Sequence, residues 1–104
     1  MTTFDNREHA FENKFAHDAE TRFRILARRD RLVGDWAASH LGLDATEAEA
    51  YAKSVVLADL EEAGDEDVVR KLVADLAPAG IDEAAIRAKL AEQFAVAQGQ
   101  IEKE

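Results

Sequence analysis

Helix-breaking residues constrain this chain more tightly than any motif. Between them, apolar side chains recur at i, i+3, i+4 and i+7, and no stretch alternates in the manner of a strand. The one proline is Pro78, and Gly42, Gly64 and Gly80 are the glycines that interrupt the pattern. The spacing therefore predicts an all-α protein whose helices lie near residues 21–41, 45–62, 66–76 and 82–100. Asp44, Asp65 and Asp82 stand where N-caps are expected, with Glu47 placed to complete a capping box after Asp44. Ile81 and Ile86 sit as a hydrophobic staple around the last of these. Gly34 reads as an internal weak point of the first helix. Trp36, Tyr51, Val55, Leu72, Leu90 and Phe94 are the expected core, and short connections favour antiparallel neighbours, hence a four-helix bundle.

Lengths then divide the chain. A helix running unbroken from the cap candidate Asp5 to Leu41 would measure roughly 55 Å at 1.5 Å per residue, whereas the fourth helix covers only about 30 Å. The bundle covers the half that carries Leu26, Val33, Trp36, Ala37 and Leu41. Residues 1–20 are left as a mobile or extended arm, disordered or helical, and residues 21–104 form the bundle. The arm carries an apolar stripe, since Phe4, Phe11 and Phe15 are spaced by seven and four and share one side of a helix.

Three uses of that stripe are open: ordinary core of a folded-back helix or a homodimer seam, an arm that becomes helical when it docks in another protein's groove, or a membrane-surface helix. The last is disfavoured by charge. Residues 1–20 carry five acids and two bases, residues 21–32 one acid and five arginines, and residues 33–104 sixteen acids and six bases. The total of -9 also argues against nucleic-acid binding, which depends on phosphate neutralisation by cations. With no cysteine, disulfides, thiolate metal sites and cysteine nucleophiles are absent. The longest apolar run, Val55 to Ala58, is far too short for a membrane span, and no N-terminal signal pattern is present, so a cytoplasmic location is expected.

Convergent catalytic groups are lacking, and the chain reads as a non-enzyme. His9 and Glu12 lack the further ligand that a metal site needs, so no metal is expected. Ser39 and His40 face different sides of a helix, and His17 beside Asp18 reads as a surface pair. "EEAGDED" at 61–67 lacks the ligand spacing of a calcium loop. The basic collar "RFRILARRDR" at 22–31 groups Arg28, Arg29 and Arg31 near Trp36. Without a glycine-rich phosphate cradle it supports at most weak, salt-sensitive binding of ATP or ADP, and no other cofactor.

Taken together, "TTFDNREHAFENKFAHDAE", "ARRDRLVGDWAA" and "AYAKSVVLADLEEAGDEDVVRKL" resemble the zeta subunit of the alphaproteobacterial F-type ATP synthase, a small inhibitor of its ATPase activity. The resemblance runs from Thr2 to about Ala97. Departures are Asn6 where Asp is expected, Asn13 where Ala is expected, and Asp35, which its place tolerates only if it faces solvent. The resemblance implies a four-helix fold and an inhibitory N-terminal segment entering a catalytic interface of the ATPase head. Phe4, Asp5, Arg7, Glu8, Phe11, Glu12, Lys14 and Phe15 would then bind the partner. It further implies catalytic and noncatalytic head subunits and the central stalk as partners, a location peripheral to the inner membrane, and blockage chiefly of hydrolysis. The alternative from the residues alone is a stand-alone helical module binding nucleotides or an acidic partner through residues 22–31.

Overall fold

A computed structural model of the chain describes residues 19–60 and 64–103. These form four α-helices, α1 Ala19–Leu41, α2 Ala45–Asp59, α3 Glu66–Leu76 and α4 Glu83–Glu102, with one 3-10 turn at Ala77–Ala79. The boundaries fall within a few residues of those expected, because the local signals that set them are satisfied. At Asp44 the side chain accepts from the Glu47 amide at 2.8 Å and the Glu47 carboxylate accepts from the Asp44 amide at 3.1 Å, the full capping box. Asp82 caps α4 through the Ala85 amide at 2.9 Å.

The helix ends are equally legible. Gly42 takes φ 72°, which lets the Leu43 amide reach back to the Ala38 carbonyl at 3.1 Å and the Gly42 amide to Ser39 at 3.3 Å. This is a Schellman stop, and Gly80 repeats it at φ 79° with Ile81 donating to Leu76. Asp65 departs from expectation. It occupies the N-cap position of α3 but makes no capping hydrogen bond there, its carboxylate being used elsewhere.

The apolar stripes meet in one main core, where Val33 and Ala37 of α1, Val55 of α2, Val68, Leu72 and Leu76 of α3, and Ile86 and Leu90 of α4 pack together. Fully burying a side chain such as Leu72 or Ile86 contributes about 1.5–3 kcal/mol. A smaller cluster of Ile25, Ala97 and Ile101, flanked by Leu32 and Phe94, joins the start of α1 to the end of α4.

Three of the six expected core residues, Val55, Leu72 and Leu90, are buried, while Trp36, Tyr51 and Phe94 are half-buried. Trp36 and Tyr51 each meet a polar or charged side chain. The Tyr51 hydroxyl donates to Asp75 at 2.8 Å, and burial, followed by that hydrogen bond, raises its pKa. Trp36 lies under the Lys89 ammonium at 5.4 Å and against the His40 ring. Gly34 is a contact point rather than a weak one: a Cβ there would lie 2.7 Å from the Ala52 Cα, so α1 and α2 cross at backbone distance. Asp35 is exposed, as its place requires.

Candidate functional site

The basic collar lies wholly on α1, and the helix divides it. Ile25, Arg29 and Val33 recur every four residues along the buried face, so Arg29 is carried inward, to 3 % exposure, with Asp30 beside it at 1 %. Charges this deep must be partnered. Arg29 Nε donates to Asp30 Oδ1 at 2.9 Å, Nη1 and Nη2 fork onto the two oxygens of Asp65 at 3.2 and 3.0 Å, and Nη2 also reaches Asp59 Oδ2 at 3.3 Å. One guanidinium thus ties α1 to the last residue of α2 and the N-cap position of α3, which explains why Asp65 does not cap.

Three carboxyls around one cation leave an excess of negative charge, and protonation relieves it. Burial, then a hydrogen bond to Asp59, pushes the Asp30 carboxyl up to about 8 against the opposing pull of Arg29. For Arg29, burial works against the charged form, but the hydrogen bond to Asp65 and the field of Asp30 outweigh it and the pKa rises. Such a clamp fixes geometry, with the guanidinium's donors committed to carboxylates. Charged side chains look solvated in a linear sequence, yet the four-residue spacing from Ile25 to Val33 was the signal that Arg29 points inward.

Arg28, Arg29 and Arg31, grouped in the sequence as one nucleotide-facing cluster, are therefore not brought together. Arg28 donates to Gln100 of α4 at 2.8 Å, and Arg31 stands 3.8 Å from Glu49 of α2. With Arg24 they share the outward face and, together with Lys53, border a groove of about 520 Å³ between α1, α2 and the end of α4. Its floor is apolar, including Phe23, Val56, Leu57 and Ile101. Phe4, Asp5, Arg7, Glu8, Phe11, Glu12, Lys14 and Phe15, and with them His9 and His17, lie outside the described residues. Among the described residues there is no cluster of three or more His, Cys, Asp or Glu side chains fit to hold a metal, and no helix is long and apolar enough to cross a membrane.

A family profile described as ATPase inhibitor subunit zeta matches residues 1–100. The chain belongs to that family. The match takes in both the bundle and the N-terminal segment, so the zeta fold and the phenylalanine stripe belong to one recognised unit. A protein whose structure was solved in solution by NMR is 48 % identical to this zeta-family chain, with a TM-score of 0.72 over 79 % of this chain and 95 % of that one. No curated protein matches it. Family membership makes an inhibitory, regulatory role toward the ATP synthase the function of this chain in general terms.

Proposed function

We propose that the chain inhibits ATP hydrolysis by inserting residues 1–20 into a catalytic interface of the ATPase head, while residues 21–104 set the position of that segment from outside. What carries this reading is that the four described helices share one core of their own, in which Val33, Val55, Leu72 and Ile86 meet. The bundle has a core that does not depend on the stripe of Phe4, Phe11 and Phe15, and this reading assigns the stripe to the partner.

On docking, ordering the segment costs conformational entropy, which burial of the three rings must exceed at about 1.5–3 kcal/mol each. Asp5, Arg7, Glu8, Glu12 and Lys14 set register and orientation through charge pairing with the catalytic and noncatalytic subunits and the central stalk. Steady-state ATP hydrolysis by the cognate head tests this. Phe11→Ala and Phe15→Ala should each raise the concentration needed for half-inhibition by about tenfold or more, chiefly through faster dissociation. Unchanged inhibition by the double variant would sink the insertion mechanism.

A second reading, weak ATP or ADP binding at the collar, is favoured by one observation: Arg28 and Arg31 share an outward face with Lys53 across the groove. Amide shifts during an ATP titration should centre there and fade in salt. Shifts confined to another surface reject it.

A further inference from the structure

Along α1, Arg24, Arg28 and Arg31 follow one another at i, i+4 and i+7, and the groove they border is open, with Phe23 51 % and Leu57 63 % exposed. Large apolar side chains grouped in this way mark a surface that something covers. The rim beside them is positive. Arg24 and Arg28 have partners within the chain, Arg28 donating to Gln100, and Glu49 lies between Arg31 and Lys53 at 3.8 and 3.5 Å, yet every charged side chain that lines the groove itself, Arg24, Arg28, Arg31 and Lys53, is a cation. An apolar floor under a cationic rim suits a short amphipathic helix with an acidic flank.

We propose that this groove is the resting seat of the chain's own residues 4–15, so that the free protein holds its inhibitory segment against α1 and α2 and releases it to engage the ATPase head. The proposal rests on the reading of residues 1–20 as the inhibitory segment. Connection, length and chemistry each support this occupant over a second copy or a foreign helix.

The described chain begins at Ala19, one turn before Phe23, the first residue of α1 that lines the groove. Residues 16–18 would make the reversal, well within the 2–8 residues that usually join helices in bundles. As a helix, residues 4–15 span roughly 17 Å, against roughly 12 Å along α1 from Phe23 to Arg31. On that helix Phe4, Phe11 and Phe15 form the stripe, Asp5, Glu8 and Glu12 fall together on one flank, and Arg7 and Lys14 fall on the other. In the proposed seat the acidic flank faces Arg24, Arg28 and Arg31 of α1 while the stripe covers Phe23 and Leu57.

The consequence is regulatory. The rings that must enter the head are the rings covered at rest, so the apparent affinity for the head is lowered by the fraction of molecules with the segment free. Loosening the groove should therefore strengthen inhibition. A change that merely damaged the chain would weaken it.

The chain contains no cysteine, so Asn13→Cys allows a single nitroxide on the full-length protein, on the side of the helix opposite the stripe. Amides of Lys53, Val56, Leu57 and Ile101 should lose intensity in the labelled protein. The loss should be independent of protein concentration, absent when the label and the 15N are on different molecules, and reversed by Leu57→Glu, by Lys53→Glu or by high salt. Intensity loss confined to residues 19–25 overturns the proposal. Loss between differently labelled molecules also overturns it and makes a second copy the occupant.

Against the ATPase head, Leu57→Glu should raise the apparent inhibitory affinity about three- to tenfold. A groove variant that weakens inhibition instead assigns the groove to the head and ends the resting-seat account. The nitroxide experiment reads the contact without the enzyme, so an arm that docks in the groove but does not inhibit would count against the proposed function alone.

Discussion

The two sides of α1 handle the same kind of residue in opposite ways. Inward, Arg29 is enclosed by Asp30, Asp59 and Asp65 and serves as a brace between three elements. Outward, one position earlier and two later, Arg28 and Arg31 border an open groove with an apolar floor. In the linear sequence these three arginines form one cluster. A rotation of about 100° per residue separates a buried structural charge from charges on the outer face. Charge density in a helical segment is thus a weaker guide to a binding site than the phase of each charge against the neighbouring apolar stripe.

The sharpest way to break this contrast is to truncate each side in turn. Arg29→Ala leaves three carboxyls facing one another without a cation and should cost about 3–5 kcal/mol in urea denaturation. Arg31→Ala, at an exposed pair with Glu49, should stay within about 0.5 kcal/mol of the parent. Equal losses would show that Arg29 is no brace.

A second test concerns the shoulder on which both faces depend. Gly34→Ala raises helix propensity by about 1 kcal/mol but places a methyl 2.7 Å from the Ala52 Cα. Backbone cannot yield as a side chain can, so the variant should lose a net amount of about 1–2 kcal/mol, read from the same denaturation curves. A stabilised variant would mean that α1 and α2 are not in close contact there.

Acid–base behaviour sharpens the inner side. The Asp30 carboxyl is held at about 8 where an unfolded aspartate sits near 3.8, so between those values the folded chain binds a proton that the unfolded chain does not. Stability from this group is therefore greatest at low pH, falls as pH rises through that window, and levels off above about pH 8. Asp30→Asn mimics the protonated acid, donating to Asp59 and accepting from Arg29. Relative to the parent it should flatten the stability profile by ~2 kcal/mol between pH 6 and pH 9. Parallel profiles for the two proteins would refute the shared proton. The smallest effect is expected outside, where Leu57→Glu should change stability by less than about 0.5 kcal/mol while altering inhibition.

Much of the architecture was legible because it is written locally. The capping box at Asp44 and Glu47, the cap at Asp82 and the glycine stops at 42 and 80 depend on residues within a few positions of one another, and each forms as expected. What was less legible depends on partners far along the chain. Asp65 looks like a cap until Arg29, 36 positions earlier, claims its carboxylate. Gly34 looks like a flaw until Ala52 arrives against it, although the small residues Ala37 and Ala38 one turn on hinted at a close crossing. Trp36 and Tyr51 look like full core until Lys89 covers the face of the one and Asp75 takes the hydroxyl of the other, leaving both half-buried.

The central claim is that inhibition resides in the arm and placement in the bundle. Its most direct test is ATP hydrolysis by the purified cognate head, titrated with the intact chain and with a chain lacking residues 2–19, the folding of the shortened chain being followed by circular dichroism and thermal melting. The shortened chain should keep a cooperative helical melt, since α1 to α4 retain their core and the caps at Asp44 and Asp82, and it should leave hydrolysis uninhibited at concentrations where the intact chain blocks it. A folded, shortened chain that inhibits as well as the intact one would contradict the account.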